Sequence, residues 1–162
     1  IWLLPLAADR KPRPFLQTPF SERDPRISPD GRWVAYTSDE SGRDEIYVQG
    51  LSGPGGKYQI STGGGFGPLW ARSGRELFYR KENQVLAVTV TTQPGLSASP
   101  PRLLFEGAYD VHPRREGIWD VTPDGQHFLM SRPTGPQTPS QLRVVLNFFT
   151  ELRQRSPQGG GR

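Results

Sequence analysis

Short apolar runs broken by polar turn clusters are the first pattern the chain presents. Trp33-Val-Ala-Tyr-Thr37, Glu45-Ile-Tyr-Val48, Leu77-Phe-Tyr79 and Val85-Leu-Ala-Val-Thr-Val90 are rich in aromatic and β-branched residues and too short for helices. Between them stand clusters such as Ser28-Pro-Asp-Gly31 and Asp39-Glu-Ser-Gly42, the residues of tight turns. Several runs, Leu77–Tyr79 and Val144–Leu146 among them, are apolar at consecutive positions. That pattern predicts strands covered on both faces.

The pattern repeats. Arg26 to Val48 predicts three strands joined by two turns. Pro68-Leu-Trp-Ala-Arg-Ser-Gly74 then matches Pro25 to Gly31 position for position. Glu76–Tyr79 follows as the counterpart of Trp33–Tyr36, Val85–Val90 as the counterpart of Ile46–Val48, and Arg102–Phe105 is a fourth strand. The third copy runs through Ile118-Trp-Asp-Val-Thr-Pro-Asp-Gly125, His127–Ser131 and Leu142–Phe148. The turn glycines at 31, 74 and 125 are 43 and then 51 residues apart, the longer gap holding an insertion near residues 107–117. A period of about 40–45 residues with four strands per unit predicts an all-β protein, a β-propeller fragment of about three four-stranded antiparallel blades.

Ile1–Leu6 and Phe15-Leu16 are expected to be strands, with a turn at residues 9–14. The expected division is a part-blade at 1–17, blades at 24–61, 66–106 and 118–149, and a tail at 150–162. Three strands in the last unit suit a ring whose last blade is completed by a strand from the N-terminus. The start at isoleucine, with Met130 the only methionine, predicts a piece of a longer protein. Terminal blades cut from such a ring would expose apolar faces and self-associate.

Composition adds exclusions. With 19 glycines and 17 prolines in 162 residues, the chain is turn-rich without being low-complexity. The net charge of +4 is spread along the chain, and Arg10-Lys-Pro-Arg13 and Arg114-Arg115 lack the interleaved aromatics of a nucleic-acid platform. No cysteine is present to make a disulfide or a thiolate metal site, and no apolar run is long enough to be a helical membrane span.

Candidate chemistry is sparse. Gly63-Gly-Gly-Phe-Gly67 is followed by Pro68 and a predicted strand, so it is a turn and not a dinucleotide fingerprint. Leu51–Tyr58 misses a phosphate loop at both ends and is likewise a turn. There is no Gly-x-Ser-x-Gly, and neither His112 nor His127 is placed for a triad. Asp39, Glu40, Asp44 and Glu45 lack the ligand spacing of a calcium loop and are expected to be a solvated turn, paired with Arg43 or Arg32. Asp30 and Asp124 are expected to form turns. The insertion is the most informative surface feature, and Tyr109, His112, Arg114 and Arg115 are the candidate partner contacts. No catalytic, cofactor or metal residue is expected.

The block Ser28-Pro-Asp-Gly-Arg-Trp-Val-Ala-Tyr-Thr-Ser-Asp-Glu-Ser-Gly-Arg-Asp-Glu-Ile-Tyr-Val48 resembles the WD40-like (PD40) repeat of TolB-type β-propellers. The second copy departs from it with Arg72-Ser-Gly74, while the third keeps Thr122-Pro-Asp-Gly125. Residues Val144–Arg153 resemble the close of the propellers fused C-terminally to bacterial receptor-like serine/threonine protein kinases. The resemblance implies a non-catalytic module that binds a protein partner or small ligand at the channel face, as an extracytoplasmic sensor beside the remaining blades. It leaves two alternatives: a stand-alone periplasmic TolB-like scaffold, and the gating propeller of a prolyl-oligopeptidase-type peptidase.

Overall fold

The computed structural model describes residues 1–6, 10–52, 56–93, 95–109 and 119–132. Over these the protein is all-β, with four antiparallel sheets and no helix. The predicted third strand at Leu142–Phe148 and the tail lie outside the described residues.

The N-terminal pair is shorter than expected and shifted. Strand β1 (Trp2–Leu3) pairs with β2 (Arg13–Pro14) inside the predicted turn. Phe15 and Leu16 lie beyond that strand, and both their N–H groups donate to the Ile1 carbonyl. Their side chains pack with Ile1 and Leu51 against Val34, Tyr36 and Tyr47. Burial, rather than the ladder, uses these apolar residues.

A regular meander follows: β3 (Glu22–Ile27), β4 (Trp33–Ser38), β5 (Glu45–Gly50) and β6 (Lys57–Gln59), in that spatial order. Every residue of β4 is buried, because its sheet is covered on both faces. The next sheet begins with β7 (Phe66–Trp70), β8 (Glu76–Lys81) and β9 (Gln84–Thr91). Its outermost position is shared by β10 (Ser97–Ala98) and β11 (Arg102–Glu106), which pair with opposite halves of β9. The Pro100-Pro101 pair between them has no N–H to give. Ser99 spans part of the break, its N–H donating to the Thr89 carbonyl and its Oγ accepting from the Thr89 N–H, both at 3.0 Å. The last pair is β12 (Trp119–Val121) with β13 (Phe128–Met130).

The sheets stack in chain order. Trp33, Ile46 and Val48 of the four-stranded sheet share a core with Trp70, Leu77 and Val88 of the five-stranded one. That sheet's Phe78, Val85 and Ala87 share the next core with Trp119, Phe128 and Met130. Indole N–H groups pin the stack. Trp70 Nε1 donates to the Arg26 carbonyl at 3.1 Å, and Trp119 Nε1 donates to the Gly67 carbonyl at 3.0 Å.

The phased turns have one conformation in all three copies. Gly31, Gly74 and Gly125 lie at φ +71°, +67° and +71°, a region glycine enters without a Cβ penalty. In each, the glycine N–H donates to the carbonyl three residues earlier, at 2.8, 2.9 and 2.8 Å. The repeat also holds a feature absent from the expectation. Asp24 and Gly67, each seven residues before its turn glycine, both have positive φ and both sit where the first strand of the sheet shifts register. This is a bulge placed at the same step of two repeats.

Candidate functional site

Most of the expected contact loop falls outside the described residues, His112, Arg114 and Arg115 included. Tyr109 is described. It is half-buried, its N–H donates to the Gly107 carbonyl at 2.8 Å, and its ring stands edge-on to Phe105. A Cβ at Gly107 would lie 2.8 Å from that ring, so the glycine lets the tyrosine fold back onto its own sheet. In this position Tyr109 braces the base of the insertion.

The acidic loop is built differently from the solvated turn expected. Arg23 pairs with Asp44, and Lys57 pairs with Glu40 while standing over the Tyr47 ring. Arg23 and Lys57 are partners the expectation did not name. Glu45 is only 2% exposed. One carboxylate oxygen accepts the N–H groups of Gly63 and Gly64 at 2.8 Å each, and the other accepts from Ser61 Oγ. Ser61 Oγ in turn accepts the Ile46 N–H at 2.8 Å. Gly63 and Gly64 need φ of +87° and +108° to aim their N–H groups this way. At Gly65 a Cβ would come within 2.6 Å of Ser61 Oγ. The glycine run is therefore wrapped on a buried carboxylate as it leads into β7, and Phe66 and Gly67 belong to that strand.

Asp30 and Asp124 do form turns. The Asp30 carboxylate accepts from Ser28 Oγ and the Arg32 N–H, while Ser28 Oγ accepts the Trp33 N–H at 3.0 Å. Thr122, Asp124, Gln126 and His127 repeat that network. His127 is exposed at the foot of β13. Among the described residues no group of three or more His, Cys, Asp or Glu is placed to hold a metal ion.

The site with the most organised geometry is a cleft of about 590 Å³ where the first strands of three sheets meet. Arg26 of β3, Leu69 of β7 and Asp120 of β12 line it, with Trp119, Leu129 and Met130. Arg26, Leu69 and Asp120 each stand five residues before the turn glycine of their own repeat. One repeat position thus supplies a cation, an apolar side chain and an anion to one cavity. Arg26 is half-buried, Asp120 is exposed, and Leu129 is 75% exposed beside them. The stacking of successive sheets brings the three positions together, held by the Trp70 and Trp119 indole bonds. Repeat phase was the available signal, since comparing equivalent positions across the copies isolates these residues. Compared with known proteins, the chain matches no protein-family model and no curated protein.

Proposed function

We propose that the chain is part of a TolB-like β-propeller and that its work is binding: a non-catalytic protein-interaction or ligand-sensing module. The observation that carries this reading is the convergence of Arg26, Leu69 and Asp120 on one cleft. In a ring of blades the first strand of each blade faces the shared channel, so equivalent residues of successive blades meet there. The in-order stacking of sheets and the shared bulge at Asp24 and Gly67 support the same reading. The similarity of residues 144–153 to kinase-fused propellers supports a role as the C-terminal sensor of a bacterial receptor-like serine/threonine kinase, outside the cytoplasm.

The test is selection of binders from a displayed peptide library on the full-length protein, followed by binding to a Leu129→Arg variant checked for a native melting profile, since Leu129 is the exposed apolar side chain of the cleft. A charged side chain on the cleft wall is expected to abolish binding for the main enriched family. If every enriched family binds the variant as well as the parent, the cleft is not the recognition site and the reading fails.

A further inference from the structure

The cleft described above has polarity as well as shape, and this inference rests on the binding role proposed for it. Along the direction of stacking, the repeated position changes from Arg26 to Leu69 to Asp120. The remaining lining is largely apolar, with Trp119, Leu129 and Met130 on the β12–β13 side and Ser131 at its end. Such a cleft discriminates by charge order. Leu69 is buried in the floor and Leu129 is exposed beside it, so an occupant gains most by setting an acidic group at Arg26, an apolar side chain over Leu129 above that floor, and a basic group at Asp120.

Neither charge is committed to the other. Among the described residues Arg26 donates to the Pro25 carbonyl, at 3.3 Å, and one Asp120 oxygen accepts the Val121 N–H, at 2.8 Å. Both groups are open enough to exchange water for a ligand, and an exposed carboxylate with one bound N–H keeps acceptor capacity. Leu129, three-quarters exposed, leaves an apolar rim that a ligand side chain would cover.

We infer that the cleft recognises an extended peptide segment in which an acidic residue, an apolar residue and a basic residue follow one another across the three sheets, acidic end toward β3. A peptide fits these features because alternate side chains of an extended chain point the same way and present separate groups to separate strands. Charge complementarity then sets which way the segment lies.

The experiment uses the full-length protein with two synthetic probes, a peptide in which Asp, Leu and Lys occupy alternate positions and its charge-reversed counterpart. The first is expected to bind on the order of tenfold more tightly at low salt, the difference falling as salt is raised. The double variant Arg26→Asp with Asp120→Arg is expected to reverse the preference without changing the melting temperature by more than a few degrees. Equal binding of both probes to parent and double variant overturns the charge order, while leaving the cleft a binding site if Leu129→Arg still abolishes binding. Loss of neither probe in Leu129→Arg overturns both readings. Binding that appears only after residues 150–162 are removed makes the chain's own tail the occupant and overturns the inference.

Discussion

Ser28 and Thr122 carry a hydroxyl where Ala71, at the same step of the second repeat, carries none. All three turns nevertheless keep the same backbone bonds. The glycine at positive φ and the carbonyl three residues before it are therefore sufficient for the shape, and the hydroxyl adds stability. Ser28 is 4% exposed and its Oγ satisfies the buried Trp33 N–H. Ser28→Ala is expected to cost about 1–2 kcal/mol, the penalty of leaving a buried donor unpaired. Chemical denaturation with an unchanged slope would measure it. The Asp30 carboxyl is held below its ordinary 3.8. Burial opposes this, but bonds from Ser28 and the Arg32 N–H, with the Arg32 charge, outweigh it. A depressed folded value stabilises the protein above pH 3.8 and is lost as pH falls below that point. The melting-temperature gap between the parent and Asp30→Asn is therefore expected to be widest at neutral pH and to shrink below 3.8. A gap independent of pH would remove the carboxylate from the account.

At the scale of elements, what was legible in the chain was whatever is decided locally. Pro, Asp and Gly fix turns by their own dihedral preferences, so Gly31, Gly74 and Gly125 were readable and their phase gave the order of strands. The bulge at Asp24 was not readable. Only glycine and a few polar residues adopt its conformation, and Asp-Pro beside a strand gives no sign of it. Glu45 was hidden for another reason. Asp39, Glu40, Asp44 and Glu45 look alike in sequence, yet only Glu45 lies across the ladder from the fully buried Ser38. Three donors depend on it, so Glu45→Ala is expected to cost about 3 kcal/mol or more, and Glu45→Gln less, since one oxygen remains to accept from Gly63 and Gly64. Amide exchange at Gly63 and Gly64 separates this from general loosening, because those two protons should quicken first. Exchange that rises evenly across the sheets would count against the wrapped loop.

At the scale of the molecule, neighbouring sheets share their cores, so each depends on the next to cover one of its faces. Trp119 fills the core between the five-stranded sheet and the last pair, stacks on Phe128 and reaches Gly67. Trp119→Phe keeps most of the packing and loses the indole bond, so its expected cost is about 1–2 kcal/mol. The accompanying sign is local. Amides of β12 and β13 should exchange through an opening that leaves β3–β6 closed, as a serially stacked protein opens from the disturbed end. Uniform opening would mean that the sheets melt as one. This dependence also explains why no single stretch of the sequence located the cleft. The cleft belongs to no single repeat, and its three walls are 43 and 51 residues apart in the chain.

The paired prolines in the outer position of the five-stranded sheet have one more effect. A sheet margin that offers an unbroken row of N–H and C=O groups is a template on which a foreign strand can register. Pro100 and Pro101 lie side by side, so whichever of the two faces outward leaves that row without a donor, and Ser99 turns its hydroxyl inward to Thr89. An incoming chain would meet a gap midway along the margin, between β10 and β11. The feature that shortens the strand also makes the flank of the protein a poor surface for fibril growth.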